Sequence, residues 1–304
     1  MIRTESLTKI FKVGFRGRRV TAINGLDLEV HEGDIFGFLG PNGAGKTTTL
    51  KLLMGLIYPT SGRAWLMDEE VGNVSVKKAI GFLPETPYFY EYLTGGEFLN
   101  FYGQLFGLEK VERKERIRRL FVKVGLKGTE DRQLRRYSKG MIQRVGIAQA
   151  LINDPKLVIL DEPMSGLDPI GRKEVRDIIL GLKDEGKTVF FSTHILPDVE
   201  MICDRVGILI RGSLRNVGPL EDLLNTQIKS VDIIVQRLSE IGLKEIEGLV
   251  TKIIRREDKV FLTTEDEESA EKILQIVHKE KGRLISFIPQ KESLEEHFIR
   301  QANE

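Results

Sequence analysis

The chain of 304 residues is long enough for one large domain with an appendage or for two domains of ordinary size. Its 46 lysines and arginines nearly cancel its 45 aspartates and glutamates, and the net charge of +1 offers no overall field for nucleic acid. Cys203 is the only cysteine, which excludes an intrachain disulfide, and no apolar run reaches the roughly 18 to 20 residues of a membrane-spanning helix. We therefore expect a soluble, cytoplasmic protein with no nucleic-acid partner.

Short apolar runs, each followed by a loop and a helical pattern, predict a mostly parallel sheet covered by helices. Before them, Ile2 to Val30 has the pattern of β-structure and predicts an antiparallel layer. The strands predicted for the parallel sheet are Ile35 to Leu39, Ile80 to Leu83, Leu157 to Leu160 and Val189 to Phe191, and the neighbouring helices include Lys46 to Leu53, Ile170 to Lys183 and Pro197 to Cys203.

Helical patterns replace the strand patterns from about residue 88 to residue 153. Met141, Val145, Ala148 and Ile152 are spaced as one apolar face of a helix. This interval therefore predicts a helical subdomain inserted between two strands of the sheet.

A domain boundary is predicted after residue 218, because a hairpin-like stretch from Val206 to Val217 ends at Gly218 and Pro219. Residues 1–218 then form the first domain, and residues 219–304 form a small α+β domain. The elements predicted for this second domain are strands at Val231 to Val235 and Val260 to Thr264, a helix from Glu268 to Glu280, a strand near Leu284 to Ile288 and a terminal helix from Leu294.

A glycine-rich loop joins the first strand of the parallel sheet to the first helix. Its residues are Gly40, Pro41, Asn42, Gly43, Ala44, Gly45, Lys46, Thr47 and Thr48, which fit the pattern GxxxxGK[ST]. Glycines let backbone N–H groups and the positive end of the helix dipole face a phosphate, because no side chain intervenes. Lys46 would reach the β- and γ-phosphates of a nucleotide, and the Thr47 hydroxyl would bind Mg²⁺. A turn that only joins a strand to a helix would not require these two residues at these offsets.

Two acidic residues, Asp161 and Glu162, end a later apolar strand. Ser165-Gly166-Leu167-Asp168 follows them, and Ser192-Thr193-His194 ends the next predicted strand. Together with the phosphate loop, these segments resemble the acid-ending strand, D-loop and switch histidine of the ATP-binding-cassette (ABC) family, over roughly residues 2–217. The resemblance implies an α/β fold of the P-loop NTPase type, with a mostly parallel core sheet, an antiparallel β layer and a helical subdomain. It also implies that ATP and Mg²⁺ are bound.

The resemblance assigns roles to individual side chains. Asp161 is implied to hold Mg²⁺ through water, and Glu162 is implied to be the general base that polarises the attacking water. His194 is implied to contact the γ-phosphate and to stabilise developing charge. The family places an aromatic ring under the adenine, and we favour Phe11 over Phe15 for this role, although core packing remains an alternative for either ring.

The sequence departs from the family pattern in two motifs. Tyr137-Ser138-Lys139-Gly140-Met141 stands where the family has Leu-Ser-Gly-Gly-Gln. Ser138 and Gly140 supply a hydroxyl donor and a bare backbone at a helix start, so both are implied to bind the phosphates of ATP. Lys139 either assists the phosphate or points to solvent. Glu85 replaces the glutamine that contacts Mg²⁺ and senses the transporter subunit, and we expect Glu85 to keep that metal-facing role.

Family members enclose each ATP between the phosphate loop of one subunit and the signature of another, and this chain has one of each. The resemblance therefore implies a second cassette subunit, in a homodimer or a heterodimer. It also implies a separate transmembrane permease, which would hold the chain at the inner face of the cell membrane. Phe89, Tyr90 and Tyr92 are candidates for the surface where the permease docks, and local packing is the alternative for these rings.

Three functions are open at this point. The expected one is the ATP-hydrolysing subunit of an ABC transporter, and a looser resemblance in the signature, Glu85 and the ending Ser293 to Phe298 favours export. A soluble ABC ATPase acting on ribosomes or DNA is the second, but the single cassette and the balanced charge disfavour it. A nucleotide-gated scaffold without turnover is the third, and Glu162 and His194 argue against it. The cargo cannot be named, because it would meet the permease and not this chain.

Overall fold

The computed structural model describes residues 1–14, 17–223 and 228–291. The chain forms two compact units, Met1–Leu220 and a second unit that begins at Glu221. The boundary predicted after residue 218 lies just before this division. Within the described residues, no helix combines the length and the apolar character that crossing a membrane requires.

Strands and helices alternate along most of the first unit. Its strands are β1 (Ile2–Val13), β2 (Arg18–Val30), β3 (Ile35–Leu39), β4 (Ser61–Leu66), β5 (Glu69–Glu70), β6 (Ile80–Leu83), β7 (Leu157–Asp161), β8 (Thr188–Thr193), β9 (Arg205–Ile210) and β10 (Ser213–Pro219). Its helices are α1 (Lys46–Leu53), α2 (Val74–Lys77), α3 (Gly95–Leu105), α4 (Lys110–Lys123), α5 (Lys139–Ala150), α6 (Pro169–Asp184) and α7 (Leu196–Ile202), and α8 (Leu220–Leu223) begins at its last residue.

Two sheets form the framework of the first unit. One has the order β10-β9-β3-β8-β7-β6, in which all strands run parallel except β10, which pairs antiparallel with β9. The other is antiparallel, with the order β2-β1-β4-β5. The predicted parallel sheet and antiparallel layer are therefore confirmed. Strand β8 lies between β3 and β7 and runs parallel to both. The carboxyl ends of the three strands therefore lie at one edge of the sheet, which is where open α/β sheets bind ligands.

The central strands are apolar because both faces of the parallel sheet are covered, one by helices that include α5 and α6 and the other by α1 and the antiparallel sheet. Every residue of β3, β7 and β8 is buried. Phe36 and Phe38 of β3 pack on Phe190 of β8, with ring centroids 5.6 and 5.4 Å apart. This dense packing makes the strand ends a rigid support for side chains at the carboxyl edge.

Helices α3, α4 and α5 occupy the whole interval between β6 and β7. Helix α3 begins where the sequence provides a capping box, since Thr94 accepts from the Glu97 N–H and Glu97 accepts from the Thr94 N–H. Buried residues of the three helices, among them Phe98, Phe121 and Val145, join one core with the adjacent face of the sheet.

The second unit contains β11 (Ile228–Gln236), α9 (Glu240–Ile246), β12 (Lys252–Arg256), β13 (Lys259–Thr264), α10 (Glu267–Lys279) and β14 (Arg283–Lys291). Its sheet is antiparallel in the order β12-β13-β11-β14, which is the βαββαβ arrangement of ferredoxin-like domains. Alternate residues of β11 pack under α9 and α10. The sequence patterns missed α9 and β12, and the terminal helix predicted from Leu294 lies outside the described residues.

Candidate nucleotide-binding site

The glycine-rich loop, residues 40–48, leads from β3 into α1. Gly43 and Gly45 have φ angles of 81° and 113°, in the left-handed region that favours glycine. A Cβ atom on Gly45 would lie only 2.5 Å from the carbonyl oxygen of Ala22. The backbone conformation therefore favours glycine at both positions, and close packing requires it at Gly45.

Lys46, the first residue of α1, is buried at the centre of the site. Its ammonium donates to the carbonyl oxygens of Gly40 at 2.7 Å and Pro41 at 3.3 Å. It also lies 3.1 Å from Glu162 Oε1, and only 6% of each of these two side chains is exposed. Little water screens an ion pair in such a buried site, so the loss of either charge would leave the other buried without its ion-pair partner, at a cost in stability.

Ser192 of β8 holds both acids at the end of β7. Asp161 lies beside Ser192 in the parallel register, and the Ser192 hydroxyl donates to Asp161 Oδ1 at 2.5 Å. The Glu162 N–H donates to Ser192 Oγ at 3.0 Å. Burial raises the pKa of the Asp161 carboxyl, and hydrogen bonds from Ser192 and Thr47 oppose this shift. Sequence analysis assigned no role to Ser192, although its position at the end of the strand after Asp161 was an available signal.

Glu162 joins three parts of the site. Its φ angle of 49° lies in the left-handed region, which costs a residue with a side chain about 1–2 kcal/mol. His194, just beyond β8, places Nδ1 2.9 Å from Glu162 Oε2. The histidine side chain is 39% exposed. The Glu162 carboxylate thus has Lys46 beside one oxygen and His194 beside the other, and the strained backbone is compensated by these contacts.

The two aromatic candidates for the adenine differ in what the structure says of them. Phe11 lies on β1 and is 37% exposed, and the Lys9 ammonium is 5.1 Å from its ring centroid. An exposed ring on a strand is available for stacking and is not a core residue. Phe15 lies outside the described residues.

Glu85 lies in the loop that follows β6 and is exposed. In the described part of the chain, no three or more His, Cys, Asp or Glu side chains are grouped so that they could hold a metal ion. The structure therefore does not bring Glu85 into one cluster with Asp161 and Glu162.

The signature segment, residues 137–141, begins α5. Ser138 caps this helix, because its hydroxyl accepts a hydrogen bond from the Met141 N–H at 3.3 Å. A Cβ atom on Gly140 would meet nothing within 4 Å, so no neighbour in the described chain requires glycine there. Neither residue has a hydrogen bond to the cluster around Glu162 among the described residues.

A phosphate loop that faces paired carboxylates at the carboxyl edge of a parallel sheet defines a P-loop nucleoside triphosphatase. Comparison with known proteins then identifies the family. The family model described as ABC transporter matches residues 23–165. An uncharacterized ABC transporter ATP-binding protein of Synechocystis sp. is 44% identical over 307 residues, with 100% of this chain and 85% of that protein covered.

Two further similarities concern a named transport protein and a solved structure. The bacitracin transport ATP-binding protein BcrA of Bacillus licheniformis is 41% identical over 226 residues, which cover 73% of this chain and 71% of that protein. A dimeric bacterial ABC transporter cassette matches with a TM-score of 0.66 and 25% identity, over 72% of this chain and 99% of that chain. The chain belongs to the ABC transporter family as an ATP-binding subunit, and members of this family are ATPases coupled to transport.

Proposed function

We propose that this chain hydrolyses ATP to drive export through a separate transmembrane permease, and that ATP closes a dimer of cassettes. The observation that carries the proposal is the buried Glu162 carboxylate held between Lys46 at 3.1 Å and His194 at 2.9 Å. The carboxylate follows β7 directly and faces the phosphate loop through Lys46, so it fits a general base with a cation and a second polar group beside it. The export direction rests on the looser resemblance of the signature segment and Glu85 to exporter cassettes.

The residues present fit a magnesium ion. Thr47 and Asp161 supply hard oxygen donors, and Mg²⁺ in nucleotide sites takes only one or two protein ligands. Glu162 Oε1 is buried without a hydrogen bond among the described residues, so an acceptor is available for a water molecule there. When bound, the ion would offset the charge of the β- and γ-phosphates. Glu85, exposed after β6, is proposed as a sensor on the side of the permease, and Phe11 is proposed to stack under the adenine.

Hydrolysis follows from three side chains of this chain. A γ-phosphate that draws the Lys46 ammonium away from Glu162 leaves the carboxylate free to polarise the attacking water. Donation from Nδ1 to Glu162 and from Nε2 to the phosphate requires a proton on both ring nitrogens, so His194 would act as an imidazolium that stabilises the charge developing in the transition state. The buried walls around Lys46 and Glu162 strengthen both interactions, because little water screens them.

Ser138 and Gly140 are proposed to bind the ATP of the other subunit. The open space beside Gly140 and the position of both residues at the start of α5, where backbone N–H groups can face a phosphate, support this assignment. If ATP prefers the closed pair about 100-fold at each of two sites, binding contributes roughly 5.5 kcal/mol, which is enough to invert a 1:99 equilibrium. Loss of phosphate would then let the dimer reopen.

The permease is proposed to dock beside the helical interval. Tyr92 is 68% exposed, and Tyr90 is partly exposed and contacts Phe101 edge to face, with ring centroids 6.0 Å apart. Phe89 instead packs on Phe98 with ring centroids 5.2 Å apart, so local packing accounts for it. A groove of about 450 Å³ lined by Leu105, Phe106 and residues of β6 supplies further apolar surface.

Glu162→Gln tests the proposal. The purified variant should release no phosphate from Mg·ATP and should elute as a dimer in size-exclusion chromatography with Mg·ATP but as a monomer without it. The wild-type chain, run in parallel, should hydrolyse ATP. A variant that stays monomeric in both conditions would contradict dimer closure, and a wild-type chain that neither binds nor hydrolyses ATP would contradict the ATPase function.

A further inference from the structure

The signature segment contacts the D-loop, residues 165–168, within the same chain. A Cβ atom built on Gly166 would lie 2.0 Å from Lys139 Nζ and 3.1 Å from Lys139 Cε. The end of the lysine side chain therefore occupies the space that a side chain at position 166 would take. Gly166 has a φ angle of 66°, so its backbone conformation favours glycine, and the missing side chain leaves room for the flexible end of Lys139.

The position of Lys139 is unfavourable for the helix that it begins. It is the first residue of α5, where the helix dipole is positive, and the first turn contains no acidic residue. A cation at this end typically costs about 0.3–1 kcal/mol. Among the described residues, the ammonium makes no ion pair or hydrogen bond that would offset the cost. A local conflict of this kind is expected where function, and not stability, selects the residue.

The D-loop is tied to Glu162 by short backbone connections. The Ser165 N–H donates to the Glu162 carbonyl oxygen at 3.1 Å. Asp168 caps α6 by accepting from the Gly171 N–H at 2.8 Å. One end of the loop is thus bonded to Glu162, whose φ angle lies in the left-handed region, and the other end is bonded to the start of α6.

The signature segment is also fixed on its other side. Tyr137 is buried, and its hydroxyl donates to the Thr129 carbonyl oxygen at 2.7 Å. A Cβ atom on Gly95, the first residue of α3, would lie 2.4 Å from the Tyr137 hydroxyl oxygen. Residue 138 thus lies between an anchor in the helical interval and a contact with the D-loop.

We propose that Lys139 is a positioning residue that couples the signature segment to the D-loop, and through the D-loop to Glu162 of the same chain. This inference rests on the proposed function, in which the signature binds the ATP of the other subunit. Nucleotide bound to the signature segment would fix the position of Lys139. Lys139 would then fix the position of Glu162, the general base for the ATP on the phosphate loop of its own chain. The two sites of a dimer would then hydrolyse ATP cooperatively.

The test measures ATP hydrolysis by the full-length chain over a range of Mg·ATP concentrations. Lys139→Met should lower kcat by about 10- to 100-fold, as small displacements of catalytic groups do, with KM within about twofold. It should also lower the Hill coefficient towards 1, and Lys139→Arg should restore most of both values. Lys110→Met is the matched control, because Lys110 is the exposed first residue of α4, and it should leave both values unchanged.

A double-variant cycle tests the contact itself. Gly166→Ala should displace the Lys139 ammonium and lower kcat. The double variant, with Lys139→Met and Gly166→Ala, should have nearly the same kcat as the slower of the two single variants. Circular dichroism melting curves identify any variant that fails to fold. The inference is overturned if Lys139→Met matches Lys110→Met, or if the two single effects multiply. A wild-type chain without ATP hydrolysis would instead overturn the proposed function.

Discussion

The ion pair between Lys46 and Glu162 predicts opposite effects of Glu162→Gln on stability and on nucleotide affinity. The substitution keeps the shape of the side chain but removes its charge, and Lys46 retains the bond to the Gly40 carbonyl oxygen at 2.7 Å. Removing one partner of a buried ion pair leaves the other charge uncompensated, which can cost about 3–5 kcal/mol. Because Lys46 keeps its bond to Gly40, the free energy of unfolding without nucleotide should fall by less, about 1–3 kcal/mol. The same pair must be broken when a phosphate binds Lys46. The variant should therefore bind a non-hydrolysable ATP analogue with Mg²⁺ on the order of 10- to 100-fold more tightly.

Urea unfolding without nucleotide measures the first effect, and isothermal titration calorimetry with the analogue measures the second. Asp198→Asn is the matched control, since Asp198 is a buried acid paired with Arg176 at 2.8 Å, outside the nucleotide site. The control should lose stability and keep the wild-type affinity. If Glu162→Gln binds the analogue no more tightly than the wild-type chain, Lys46 is not released from an ion pair on binding, and the reasoning is wrong.

Three further outcomes follow from buried or capping groups. Ser138→Ala removes the cap of α5 and should lower the free energy of unfolding by about 1 kcal/mol in urea titrations. Burial raises the pKa of Asp161 in the folded chain, so its ionised carboxylate lowers the stability of the fold at pH values above its unfolded pKa of about 3.9. Asp161→Asn should therefore raise the melting temperature without nucleotide at pH 7, and the difference from the wild-type chain should vanish as the pH falls below about 4. Burial also raises the pKa of the Cys203 thiol, so a thiol reagent at pH 8 should label Cys203 only after urea is added. Rapid labelling of the native chain would contradict this prediction and show that the structure around Cys203 opens.

Much of the nucleotide site was predictable because its signals are contiguous. Residues 40–48 combine a strand end, a glycine-rich loop and a helix start within one short segment, so local rules alone indicate a phosphate site. The bounds of β3, β6 and α1 match the predicted ones for the same reason, since each is a short apolar or amphipathic run between clear turn residues.

The second unit was harder to predict from its sequence. Among the residues that the structure describes, strand β12 pairs only with β13, at the edge of the sheet. It mixes two isoleucines with charged residues, so it lacks a clear alternation. Helix α9 is short and contains Gly242, which helical patterns disfavour. Leu243 and Ile246 of α9 lie in the core of the second unit and Ile253 of β12 packs against it, and this tertiary packing outweighs weak local preferences.

The amino-acid sequence by itself pointed to Lys46, Asp161, Glu162 and His194, the side chains that we propose carry the chemistry. Only the tertiary structure showed that Ser192 bonds to both acids and that Lys139 lies against Gly166. These contacts join segments that are 27 to 31 residues apart and depend on strand register and helix placement. Patterns along the chain report local geometry and burial, whereas pairing between distant segments is set by how the whole sheet and its helices pack.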